Sequence, residues 1–126
     1  MAPRYPVDKV IAAATNGDLD LVGSRARDIV QTYVEGFADS FSFASALVAA
    51  LRLEHFQETV TLGPPYKGEF DVYICPISSE LMSRYGLEHV PNWYVKLKLT
   101  ENDNGDSVLV VSMHPPEKPA RQRRKR

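Results

Sequence analysis

The chain has 126 residues and a mass of 14.1 kDa, which is one domain's worth of polypeptide and excludes a two-domain enzyme. Its 44% hydrophobic and 25% charged residues are ordinary for a globular protein, and no apolar run approaches the roughly 20 residues that span a bilayer. The formal net charge of −1 hides an asymmetry: residues 1–114 hold 9 Lys and Arg against 15 Asp and Glu, a net of −6, whereas residues 115–126 hold 6 against 1, a net of +5. The lone Cys75 cannot form an intramolecular disulfide, and one thiol with three scattered histidines does not spell a zinc site, so neither metal nor cofactor is expected. The start MAPRYPVDKV lacks the basic-then-apolar profile of a secretory signal, and the expected location is cytoplasmic with no membrane contact.

Pro6-Val7-Asp8 opens a short amphipathic helix through Thr15, with Val7, Val10, Ile11 and Ala14 on one face and Asn16-Gly17 closing it. Leu19 to Val22 reads as a brief strand. A second helix is expected from a cap at Ser24 to about Glu35, where Gly36 stops it. A third, Ala-rich helix is expected from a cap at Ser42, with Phe43, Leu47, Val48 and Leu51 on one face, and His55 to Val60 extends it by a turn. Gly63-Pro64-Pro65 forbids helix and marks a surface loop.

Beyond that loop the periodicity changes to two. Phe70 to Cys75 alternates Phe70, Val72 and Ile74 against Asp71, Tyr73 and Cys75, a strand ended by Pro76. Ser78 to Tyr85 reads as a short helical insertion closed by Gly86. Trp93 to Leu99 is the clearest strand: Trp93, Val95, Leu97 and Leu99 point one way, Tyr94, Lys96 and Lys98 the other. Val108 to Met113 returns after Asn102-Asp103-Asn104-Gly105-Asp106, a strong hairpin signal.

The register of that hairpin decides which side chains meet. A two-residue Asn104-Gly105 turn sets core positions of one strand against solvent positions of the next. A three-residue loop, Asp103-Asn104-Gly105, pairs Asn102 with Asp106 and places Leu99, Leu97 and Val95 opposite Leu109, Val111 and Met113. Tyr94, Lys96, Ser112 and His114 then become neighbours on one solvent-facing patch, with opposed β-carbons about 5 Å apart.

A phenol, two proton carriers and a cation are the parts that metal-free RNA cleavage needs. The 2′-hydroxyl must lose a proton, the leaving 5′-oxygen must gain one, and the phosphorane must be stabilised. Histidine is the natural carrier at neutral pH, although lysine and tyrosine on the wet face of a strand also serve simply as solvated residues. Glu54-His55-Phe56-Gln57-Glu58 has no second histidine four residues on, which excludes a zincin reading; His55 and His89 read as surface histidines. Cys75 reads as a small buried hydrophobe. No dinucleotide-binding, P-loop or nucleophile-elbow motif is present. Pro115-Pro116-Glu117-Lys118-Pro119 ends the sheet, so the domain is expected over 1–114. Residues 115–126 are expected to form a disordered tail whose Arg121, Arg123 and Arg124 suit phosphate.

Two short helices, an Ala-rich third helix running into HFQETV, a Pro-rich loop, FDVY, then WYVKLKL, a turn and VLVVSMH together resemble the MqsR (motility quorum-sensing regulator) family of type II toxins. The match spans most of residues 5–114, and its sharpest pieces are Asp71-Val72-Tyr73, Tyr94-Val95-Lys96-Leu97 and Val108-Leu109-Val110-Val111-Ser112. The resemblance implies a RelE-like α+β fold, an antiparallel sheet with N-terminal helices packed on one face. It also implies ribosome-independent, metal-free endoribonucleolytic cleavage of mRNA, held in check by a cognate antitoxin protein. The family's functional tyrosine falls on Tyr94. Its terminal-strand lysine falls on His114, its lysine after the Phe-aromatic pair on Glu58, and its glutamine before Asp-Val-Tyr on Phe70. The insertion from Ser78 to Asn92 and residues 115–126 depart from the family pattern.

The sequence therefore predicts a toxin-type ribonuclease. Tyr94 and Lys96 would orient phosphate, His114 would act as general acid or phosphate clamp, Glu58 would serve as base, and Lys67, Lys98 and Ser112 would line the RNA path. The rival is a RelE-like binding module without catalysis that uses an acidic body and a basic tail for protein partners.

Overall fold

Glycines at the helix starts and β-branched runs in the second half divide the chain into its elements. The computed structural model describes residues 2–102 and 105–116. They form, in chain order, α1 (Val7–Thr15), β1 (Leu19–Leu21), α2 (Ser24–Tyr33), α3 (Phe37–Ala49), β2 (Phe56–Leu62), β3 (Gly68–Pro76), α4 (Ser79–Tyr85), β4 (Asn92–Asn102) and β5 (Gly105–His114), with one 3-10 turn at Leu53–His55. The protein is α+β, as expected. The five strands make one sheet in the order β1-β5-β4-β3-β2. β1 runs parallel to β5 while the other pairs are antiparallel, so the sheet is mixed rather than the antiparallel one expected. No helix among the described residues is long and apolar enough to cross a membrane.

The first three helices share one face of the sheet. Val10 and Ala14 of α1, Val30 of α2 and Phe43, Leu47 and Val48 of α3 are buried in one cluster with Tyr73, Trp93, Val95, Leu97, Val110 and Met113. Trp93 is its hub, with edge-on contacts to Phe43 and Tyr33 at 5.1 and 5.4 Å between ring centroids, a geometry that aromatic quadrupoles favour. α3 begins at Phe37, five residues before the expected Ser42, because Gly36 at φ 91° turns the chain into the helix earlier.

The stretch expected to extend α3 through Val60 is not α-helical: His55 ends the 3-10 turn and Phe56 onward is strand. The His55 N–H bonds to the Arg52 carbonyl at 2.9 Å and the Arg52 N–H donates to His55 Nδ1 at 3.1 Å. This single turn reverses the chain into β2, where Thr59, Val60 and Thr61 favour extended backbone. The result is an edge strand absent from the sequence reading.

β3 lies between β4 and the edge strand β2 and is buried on both faces. Its register sets Tyr73 beside Val95 and Cys75 beside Trp93, so Asp71, Tyr73 and Cys75 face the helices. Phe70, Val72 and Ile74 share the opposite face with Tyr94 and Lys96. Fully buried Asp71 is satisfied without a cation: it accepts from the Arg4 and Tyr5 amides, both at 2.9 Å, and from Thr59 Oγ1 at 2.6 Å. These bonds offset the cost of burying a carboxylate and tie the N-terminal segment to the sheet.

Candidate functional site

The hairpin β4–β5 builds the site, and a bulge decides its register. Near the turn Asn102 pairs with Gly105, Leu99 with Val108 and Leu97 with Val110. The expected pairing of Asn102 with Asp106, and of Leu99 and Leu97 with Leu109 and Val111, is therefore displaced by one residue. Between Leu97 and Lys96 the register shifts, because Val111 is an extra residue on β5. From there on the pairs are the expected ones: Lys96 with Ser112, Val95 with Met113, Tyr94 with His114. The bulge lets Val108, Val110 and Met113 all reach the core, although alternation alone cannot put Val110 and Met113 on one side.

The face opposite the helices consequently carries a row of Ile74, Tyr94 and His114, and beside it a row of Glu58, Val72, Lys96 and Ser112. Tyr94 and His114 stack with ring centroids 4.8 Å apart and planes 13° from parallel. Lys96 Nζ lies 5.8 Å from the centre of the Tyr94 ring, within the reach of a cation–π contact. Tyr94, Lys96, Ser112 and His114 are all half-buried.

The His114 ring is held in one tautomer. Its Nδ1 lies 2.7 Å from the Pro115 carbonyl oxygen. A carbonyl only accepts, so Nδ1 carries the hydrogen and the Nε2 lone pair is left for another partner. The stack on Tyr94 fixes the ring plane. Both constraints come from immediate neighbours.

The other expected residues are more dispersed. Glu58 is exposed on the same face, two strand positions from Lys96 with buried Val72 between them, which separates the two backbones by about 10 Å. Lys98 Nζ lies over the Phe70 ring at 5.3 Å and donates to the Lys67 carbonyl at 3.4 Å. The Lys98 ammonium thus reaches from β4 to the β2–β3 connection, two rows away from the stacked pair. That connection folds across the sheet face: the Tyr66 hydroxyl sits where a β-carbon on Gly23 would be, at the far edge beside β1. A cleft of about 400 Å³ near Lys98 also presents Arg4 and Lys9, but the Arg4 guanidinium pairs with Glu69 at 2.8 Å. Arg121, Arg123 and Arg124, with the rest of 117–126 and hairpin residues 103 and 104, lie outside the described residues.

Two neighbouring features were not in the sequence reading. A cleft of about 310 Å³ opens at the ends of β4 and β5, lined by His89, Val90, Pro91, Asn92, Pro115 and Pro116. Asn92 stands two residues before Tyr94, and strand parity alone puts both on one face. The Pro115 carbonyl that orients His114 left no sequence signal. Cys75 is buried, and burial pushes its thiol up to about 12, which keeps it protonated and unreactive. Among the described residues no three His, Cys, Asp or Glu side chains converge as metal ligands. No family model, no curated protein and no solved structure matches this chain.

Proposed function

We propose that the protein is a toxin-type endoribonuclease of the MqsR kind with a RelE-like fold, acting on mRNA in the cytoplasm without a metal and restrained by a cognate antitoxin protein. The observation that carries this reading is the stacked Tyr94–His114 pair, with His114 Nε2 free to exchange a proton and Lys96 beside it. A phosphate over this patch meets the Lys96 ammonium and the Ser112 hydroxyl. The 2′-oxygen attacks phosphorus while its proton passes to a base, for which Glu58 is the candidate on this face. The bond to the 5′-oxygen breaks as His114 donates a proton to it. The products are a 2′,3′-cyclic phosphate and a 5′-hydroxyl, the base taking one proton as His114 gives one.

Tyr94 is a positioning residue for the imidazole and a surface for a base. Lys67 and Lys98 add positive charge along the RNA path, and the cationic residues near the end of the chain strengthen phosphate attraction without reading sequence. The net charge of −6 over residues 1–114 favours one rival, a partner-binding module that uses the same face without cleaving.

Mixed-sequence RNA incubated with the purified protein in EDTA separates the two. The ribonuclease reading expects cleavage by the wild type and a loss of about 100-fold or more in His114→Ala, the scale of a missing general acid or base. Intact RNA with the wild type sinks the enzyme reading and leaves the binding module.

A further inference from the structure

Resting on the ribonuclease reading of the stacked pair, we infer that the cleft between His89, Asn92 and Pro115-Pro116 is a nucleobase subsite that selects adenine next to the scissile phosphate. The cleft holds about 310 Å³, the lower end of the range for small-molecule sites, which suits one base and its sugar rather than a length of chain. Its lining contains no Lys, Arg, Asp or Glu. It therefore offers a phosphate no fixed counter-charge and favours a flat, neutral heterocycle.

Its position matches the chemistry. Asn92 and Tyr94 are two residues apart on β4, about 7 Å along the strand and on one face. Pro115 belongs to both places, since it lines the cleft and its carbonyl fixes the His114 tautomer. A single strand with its phosphate over Lys96 and His114 puts the adjoining nucleotide at this cleft.

The lining supplies the two things that single-stranded RNA recognition uses: surfaces to stack on and an amide to read with. Pro91, Pro115 and Pro116 present apolar rings, and exposed His89, whose ring lies 6.3 Å from that of Tyr33 on the helix side of the sheet, lines the cleft from the side away from Tyr94. The Asn92 carboxamide carries both donors and an acceptor. That combination pairs in two-bond fashion with the N6 donor and N7 acceptor of adenine.

The test uses the full chain and two readouts. The first maps cut positions on mixed-sequence RNA for wild type, Asn92→Ala and Asn92→Asp. The wild type is expected to cut beside adenine, and both variants to lose that preference about ten-fold, the scale of one bidentate base contact. The second titrates uncleavable 2′-O-methyl trinucleotides, with adenine or uracil in the centre, into ¹⁵N-labelled protein. The adenine probe is expected to shift the Asn92 side-chain and His89 signals more than the uracil probe does.

Shifts at Asn92 and His89 without any cleavage support the subsite while removing the ribonuclease reading. Cleavage with unchanged cut positions in both variants and no shift at Asn92 overturns the subsite and keeps that reading. Neither cleavage nor shifts overturns both. Well-dispersed spectra of the variants show that exposed Asn92 was replaced without unfolding.

Discussion

At the scale of single residues, burial sets the character of the ionisable groups. Cys75 faces the helices beside Trp93, and burial pushes its thiol from the ordinary 9.0 up to about 12. Burial also raises Tyr73, with further upward contributions from the charges of Asp71 and Cys75. In the unfolded chain both groups ionise earlier, so between about pH 9 and pH 12 the unfolded state holds fewer protons and stability falls as pH rises. Thermal unfolding followed from pH 8 to 11 should show that decline, and Cys75→Ala should remove part of it; at pH 8 the native thiol should resist a disulfide reagent. Asp71 acts differently, because its oxygens accept from two backbone amides and one hydroxyl. Asp71→Ala strands these donors and should cost roughly 3 kcal/mol or more, with amide exchange at Arg4 and Tyr5 accelerating first. Such couplings were not legible in the sequence. Asp71 looked like the polar half of an alternating strand, and nothing in its neighbours announced that residues 4 and 5, more than 60 positions away, would satisfy it.

At the scale of elements, sequence periodicity did well wherever one face of an element is dry and the other wet. α1, α4 and β4 fall where their patterns place them, because Val10 and Ala14, Leu81 and the Trp93-Val95-Leu97 series each bury one side. It did worse at β2 and β3. β2 is an edge strand with mixed exposure, and β3 is covered on both faces, so neither shows a clean period of two to identify its core side. The candidate patch was legible because Tyr94, Lys96, Ser112 and His114 lie beyond the bulge, where the actual and expected registers agree; the bulge itself left no signal in the continuous apolar run Val108-Leu109-Val110-Val111 and shows only in the burial of Val108, Val110 and Met113. Removing Val111 should therefore be far worse than replacing it. Its deletion turns Met113 out of the core or forces the turn to slip, and circular dichroism with thermal melts should report a grossly destabilised sheet, whereas Val111→Thr should fold. The crossing of the β2–β3 connection gives a second check. Gly23→Ala meets both a positive φ of 92° and the Tyr66 hydroxyl, and should cost about 1–3 kcal/mol. Tyr66→Ala in the same chain should recover the steric share and leave the backbone share.

At the scale of the whole molecule, the charge asymmetry and the sheet describe one division of labour. Among the described residues the helices bury one face of the sheet, and the other carries Tyr94, Lys96, Ser112, His114 and Glu58 beside buried Phe70 and Val72. The net of −6 over residues 1–114 disfavours indiscriminate attraction to polyanions, and under the proposed function the cations near the end of the chain would supply the long-range pull. Removing residues 121–126 deletes five cations. This should lower the salt slope of RNA binding by up to about 3.5, the single-strand value for five phosphates, while leaving the cut positions unchanged. The most direct test of the central claim is end-group analysis of RNA fragments made in EDTA by the wild type, His114→Ala and His55→Ala. The account predicts 2′,3′-cyclic phosphate ends from the wild type and from His55→Ala, and almost none from His114→Ala. Equal yields from His114→Ala, or fragments ending in 3′-hydroxyls, would contradict it.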